Sequence, residues 1–365
     1  MVLLSVLGFM VSLVTTLLCI RLARGMGDPY ALQKPQRFHA GSVSRLGGVG
    51  VLLGAVTAWF FASSNGMLVN VGLDFWRVLL WLAMLMPAWL GGVMEDLTQR
   101  LSVRYRLCLT ALSAAAACWL LDLAVPRIGV PMADAWLLAM PWWGVALAFL
   151  AVCGLPHAFN IIDGYNGLAA TVALFVCLAI AHVALQVGDR ELAGMVIGLA
   201  GATVGFLVWN YPRGLIFAGD GGAYLWGLVI AVASVLLVQR NALVSPWFPM
   251  LLLIYPVWET LFSIYRKLAR GSSPGVADAL HFHQLIYRRI VREVFEGDDH
   301  ARRMLMRNSR TSPYLWGFTL LTVVPAVLFW RNTEVLMAFC ALFVVSYVAA
   351  YVAIVRFKVP AWLRR

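Results

Sequence analysis

Charge is what this 365-residue sequence has least of: 12% Asp, Glu, Lys and Arg, against roughly 25% in an average soluble domain. With 62% hydrophobic residues, that shortage excludes a chain dissolved in water and places it in a bilayer. No basic stretch precedes the apolar run from Met1 to Ile20, and similar runs recur to the far end. The first segment therefore reads as a retained span rather than a cleaved signal. Cysteine is sparse too. Cys19, Cys108, Cys118, Cys153, Cys177 and Cys340 all fall inside apolar segments without CxxC spacing or a nearby His, which leaves small core residues in place of disulfides or a zinc site. There is no low-complexity tract and no appended soluble domain, so residues 1–365 read as one transmembrane domain.

What is there in quantity is apolar segments of about 20 residues, the length that crosses a hydrocarbon core. Eleven are expected, near 1–20, 46–64, 76–94, 107–125, 138–157, 167–187, 192–209, 222–239, 247–265, 314–330 and 335–355. The fold class is then all-α and polytopic. Lys and Arg set its orientation. With the N-terminus periplasmic, the loops and C-terminal tail on the cytoplasmic side hold 23 of them and the other side only Arg77, Arg127, Arg190, Arg240 and Arg331. The C-terminus is then cytoplasmic, and most of the +11 net charge is explained without a nucleic-acid partner. One cytoplasmic loop, 266–313, is large. Within it Leu285, Ile286, Ile290, Val294 and Phe295 share a helical side opposite Arg288 and Arg292, as in a helix lying on a membrane surface.

Carboxylates near a span need a reason, because one at the bilayer centre costs about 2.5–3.5 kcal/mol even on lenient scales. Here Glu95 with Asp96, Asp163 and Asp220 fall at the cytoplasmic ends of different spans, at one depth. Either they are ordinary charged helix ends or they gather around a hard cation. Two of them sit in glycine-lined strings just before an apolar helix: Asn160-Ile161-Ile162-Asp163-Gly164-Tyr165-Asn166-Gly167 and Phe217-Ala218-Gly219-Asp220-Gly221-Gly222. Glycine admits close backbone approach and a helix start offers free N–H groups to an anion, so both strings have the make-up of phosphate or metal cradles.

These strings, in this order, resemble the polyprenyl-phosphate N-acetylhexosamine-1-phosphate transferase family, which includes the initiating enzymes of O-antigen and related polymers and the peptidoglycan translocase. Five landmarks between Lys34 and His283 carry the resemblance: Lys34-Pro35 with Arg37, His39 and Arg45-Leu46-Gly47-Gly48; Glu95-Asp96; Asn160 to Gly167; Phe217 to Asp220; and His281-Phe282-His283-Gln284. The sequence departs from the family pattern at Glu95 and Asn166, where Asp is usual, and at Gln284, where a third His is usual.

The resemblance implies Mg²⁺, with Mn²⁺ as a substitute, held by Asn160 and Asp220. It implies Asp96 as base or orienting group, with Glu95 and Asp163 as further active-site carboxylates. It sets Phe217 against a uracil ring, Gly164 to Asn166 along its edge, and His281 and His283 at the sugar or pyrophosphate. Lys34, Arg37, Arg45 and Arg104 are the cationic candidates, for substrate or for the membrane surface. The implied partners are undecaprenyl phosphate, a UDP-sugar and the lipid bilayer of a bacterial inner membrane, and a homodimer stays open. Glu259, inside the ninth span, reads as a neutraliser of Arg266, a buried structural acid or a catalytic group. His157 and His182 read as packing residues. The rival class is a transporter with an acidic ion relay, whose acids would lie near the midplane of pseudo-repeated halves. No such repeat is visible.

Overall fold

A computed structural model describes residues 1–23, 43–271, 280–291 and 300–356. Lys34, Pro35, Arg37, His39, Arg292, Val294 and Phe295 lie outside the described residues. Among those described, the chain forms fifteen helices: α1 (Val2–Leu22), α2 (Gly47–Ser64), α3 (Gly66–Val69), α4 (Phe75–Thr98), α5 (Val103–Leu120), α6 (Pro131–Ala139), α7 (Trp142–Ile162), α8 (Leu168–Gln186), α9 (Arg190–Asn210), α10 (Gly219–Arg240), α11 (Trp247–Leu252), α12 (Ile254–Ala269), α13 (Phe282–Arg289), α14 (His300–Leu328) and α15 (Thr333–Val355).

Helices occupy all eleven expected positions, and nine of those described are long and apolar enough to cross a bilayer. The protein is a multi-pass membrane protein. The two expected spans outside that set have identifiable causes. The 18-residue α5 opens with Arg104 and Arg106. The segment 247–265 is broken at Leu253 into α11 and α12, because Pro256 has no N–H to offer the carbonyl of Leu252.

The centre of the bundle is α10, which packs on α2, α4, α7, α8 and α9. Ala223 to Val238 is apolar or small on every side of the helix, a pattern that favours burial all round. Of its apolar window 94% is buried, against 22% for α1, which lies outside α2 and α9. Of the six cysteines, Cys177 and Cys340 are buried, whereas Cys108 is exposed rather than in the core.

The segment expected on the membrane surface departs from expectation. Leu285, Ile286 and Ile290 are buried and Arg288 is exposed, as the helical periodicity requires, but α13 packs on α14 and α15. Its apolar side is covered by protein. The helix reaches only Arg289, and the loop 266–313 also contains the first turns of α14.

Candidate active site

The ends of α4, α7 and α12 and the starts of α2, α5, α8, α10 and α14 meet at one end of the bundle, where α13 also lies. Two close approaches make the meeting possible. Gly219 has φ +71°, in the left-handed region, and an added Cβ would lie 2.4 Å from the Arg45 carbonyl oxygen and 2.4 Å from Asp96 Oδ2. A Cβ on Gly92 would lie 2.6 Å from the Gly221 nitrogen. The segment before α2 runs beside the loop before α10, with Phe217 N–H donating to Ser44 O (2.8 Å), Gly47 N–H to Phe217 O (2.9 Å) and Gly48 N–H to Ala218 O (3.0 Å).

Asp220 is the hub of what these approaches assemble. Its Oδ1 accepts from Asn160 Nδ2 at 2.7 Å, and its Oδ2 accepts from Arg106 Nη1 at 2.6 Å and from the Tyr224 hydroxyl at 3.5 Å. Asp96 accepts the Asp220 N–H with Oδ1 and the Gly221 N–H with Oδ2, both at 2.9 Å. A carboxylate on the first amides of α10 satisfies donors that no helical carbonyl can reach and complements the helix dipole. Both Asp96 oxygens therefore face the start of α10. Glu95 is partly buried and accepts the Leu101 N–H at 2.8 Å, which closes the turn between α4 and α5.

The side chain of Asp163, at the C-terminal end of α7, makes no hydrogen bond or ion pair among the described residues. Burial raises its carboxyl to about 7, Arg45 opposes the shift and the charge of Asp220 adds to it. A carboxyl raised in the folded state stabilises the fold below its unfolded value and loses that contribution as pH rises through the folded value. Asp163 therefore weighs against the fold above about pH 7. In chelator, Asp163→Asn should raise the melting temperature at about pH 8, and by less at about pH 5. An unchanged or lower melting temperature at the higher pH would remove this account of Asp163.

An oxygen donor set of Asp220, Asn160 and Asp163 suits a hard cation, and the unpartnered Asp163 carboxylate is the feature of the fold such an ion would satisfy. No three His, Cys, Asp or Glu side chains among the described residues are grouped to hold a metal by themselves.

Of the cationic candidates, Arg45 is partly buried, close enough to act on Asp163, and has no ion-pair partner among the described residues. Arg104 is exposed on the outside of α5. Arg106 takes its place at Asp220, because two residues along a helix turn a side chain to nearly the opposite side. Arg106 was invisible in sequence. His157 is a packing residue, with Nε2 3.0 Å from Thr110 Oγ1 and its ring edge-on to Tyr224, while His182 is exposed.

His281 and His283 are brought to the Asp163–Gly164 turn. A Cβ on the exposed Gly164 would lie 3.5 Å from His283 Nε2, and the rings of His281 and His283 stack at 5.3 Å with 6° between planes. Burial first, then His281, push His283 down to about 3, so it is neutral at physiological pH. Gln284 caps α13, its Oε1 accepting the His281 N–H at 3.3 Å. Phe217 is partly buried beside the segment before α2.

Asn166 is placed differently. It is 2% exposed, its Nδ2 donates to Pro212 O (3.0 Å) and Ser309 Oγ (3.2 Å), and its N–H donates to Asn308 Oδ1 (2.8 Å). That placement does not support the nucleobase contact implied for it. The residue latches the 163–167 loop to α14.

A family model described as glycosyl transferase family 4 matches residues 78–238. The probable undecaprenyl-phosphate N-acetylglucosaminyl 1-phosphate transferase of Bacillus subtilis (strain 168) is 27% identical over 286 residues, 76% of this chain and 76% of the relative. The decaprenyl-phosphate N-acetylglucosaminephosphotransferase of Mycobacterium tuberculosis (strain ATCC 25618 / H37Rv) is 26% identical over 363 residues, 89% of this chain and 82% of the relative. The phospho-N-acetylmuramoyl-pentapeptide-transferase of Moorella thermoacetica is 36% identical, but over 119 residues, 33% of this chain and 36% of the relative. The stretch matched by the family model contains Glu95-Asp96, Asn160 to Gly167 and Phe217 to Asp220, the three strings that the fold gathers around Asp220. Over residues 78–238 the chain is thus similar to glycosyl transferase family 4.

Proposed function

We propose that the chain transfers an N-acetylhexosamine-1-phosphate from a UDP-sugar to undecaprenyl phosphate, releasing UMP, as the first step of a cell-surface polysaccharide of the O-antigen kind. The observation that carries this reading is the Asp220 hub, where four helix ends place carboxylates and a guanidinium within reach of one point. In the reaction a phosphate oxygen of the carrier attacks the β-phosphorus of the donor. The bond from that phosphorus to the bridging oxygen breaks, and the electron pair leaves with UMP.

Both reactants are anions, and little covalent work falls to the protein. Asn160, Asp163 and Asp220 would hold Mg²⁺, which when bound neutralises the diphosphate and its leaving oxygen. Arg45 meets a phosphate with an unpaired guanidinium. Arg106 and Asn160 fix the Asp220 carboxylate, and Asp96 fixes the α10 start that carries it. Phe217 offers a ring face to the base, and Gly164 a surface without a side chain. His281 and His283 close the rim above the sugar or pyrophosphate.

The 23 to 5 split of basic residues favours an orientation with this end of the bundle at the cytoplasmic face of a bacterial inner membrane. Donor and carrier phosphate then meet at the inner lipid boundary. The test is purified full-length protein in detergent with undecaprenyl phosphate, Mg²⁺ and a panel of UDP-N-acetylhexosamines that includes the peptidoglycan pentapeptide donor. UMP release with one donor, lost in chelator and restored by Mg²⁺, is expected. Silence with every donor would overturn the reaction, and full rate in chelator would overturn the metal.

A further inference from the structure

Glu259 carries no role in the reaction above, yet it is a fully buried carboxylate in α12 with every oxygen engaged. Its Oε1 lies 2.9 Å from His281 Nδ1, its Oε2 accepts from the Tyr347 hydroxyl at 2.7 Å, and both oxygens lie 3.3 Å from the Phe282 N–H. An ionised carboxylate only accepts, so His281 Nδ1 must be the donor. Nε2 is the ring's other nitrogen, and it has no partner among the described residues. Tyr347 comes from α15, the last helix, and Tyr351 one turn on donates to the Leu280 carbonyl at 3.3 Å. Arg289 of α13 donates to the Ile354 and Val355 carbonyls at 2.6 and 2.7 Å. The histidine segment is thus held from behind by α15.

We propose that Tyr347 of α15, acting through Glu259, is a positioning residue that fixes the orientation and tautomer of His281 toward the substrate. The proposal rests on the phosphosugar transfer described above. Tyr347 touches neither substrate nor metal; it supplies the donor that keeps Glu259 turned to His281. A hydroxyl 2.7 Å from an acid inside the protein, with the acid between it and the histidine, is the order of groups that such positioning requires.

The test is a double-mutant cycle in purified full-length protein, using the donor that releases UMP, undecaprenyl phosphate and Mg²⁺. Glu259→Gln should lower kcat about 10–100-fold, the range for losing a carboxylate that orients a working histidine. Tyr347→Phe, which removes one oxygen and no packing, should lower kcat about three- to tenfold. KM for both substrates should stay near wild type, and the melting temperature of Tyr347→Phe within about 2–4 °C of it. Groups acting as a unit are non-additive. Tyr347→Phe should therefore change kcat less than about twofold in the Glu259→Gln background. Independent, multiplying losses, or an unchanged kcat in Tyr347→Phe with wild-type turnover intact, would overturn the Tyr347 assignment alone. No turnover by the wild type would instead remove the reaction, and the assignment with it.

Discussion

Asp220→Asn should lower UMP release by about 10³-fold or more, the scale reached when a group that acts in the transition state is removed. Two contacts and one charge make the substitution severe. Asn160 and Arg106 both donate to Asp220, one to each oxygen, so an amide at this position turns an NH₂ toward one of two donors. Arg106, with its side chain 21% exposed, would keep its charge and lose its partner. The carboxylate charge that the metal reading requires would also go. Size-exclusion profiles and melting curves in detergent separate these effects, because the Asp96 contacts to the backbone at Asp220 and Gly221 do not involve the altered side chain. A monodisperse protein without turnover is expected. Turnover within about tenfold of wild type would mean that Asp220 is structural and that the chemistry lies elsewhere.

The all-helical membrane fold was legible because an uncharged apolar run of about 20 residues matches the thickness of a bilayer and little else, and the carboxylates stood out because ionised groups at span ends require a cause. The lateral order of the helices was not legible. Lipid tails are as apolar as leucine, so the runs that became the outermost α1 and the central α10 differ little in composition although one faces lipid and the other protein. The same limit hid Arg106, since the rotation of α5 about its axis decides whether it or Arg104 faces Asp220. Asn166 had the look of a ligand residue among glycines, but its partners Asn308 and Ser309 lie 142 and 143 residues away. Glu259 stands out in the sequence as an acid within an apolar run and its partners do not, with Tyr347 88 residues distant. Two tyrosines one turn apart in the mostly apolar α15, Tyr347 and Tyr351, are the signal in the sequence that this helix has a polar neighbour.

Gly219→Ala should damage both the fold and the site at this end of the bundle. The left-handed backbone at Gly219 costs an alanine about 1–2 kcal/mol, and the overlap adds about 1–3 kcal/mol more. The side-chain end of Asp96 can move, but the Arg45 carbonyl is backbone held by the paired segments before α2 and α10. Relief therefore comes by prising α2 from α10 or by turning Asp96 off the α10 amides, and either moves the Asp220 carboxylate. A shift of about 1 Å in a reacting group costs about 10²-fold in rate, so turnover should fall together with melting temperature. Gly317→Ala gives the contrast. Gly317 is exposed in the middle of α14 with nothing within 4 Å of an added Cβ, and there the methyl should be neutral or slightly stabilising. If the two substitutions behave alike in melting temperature and rate, the convergence of α2, α4 and α10 on Gly219 does not hold the site together.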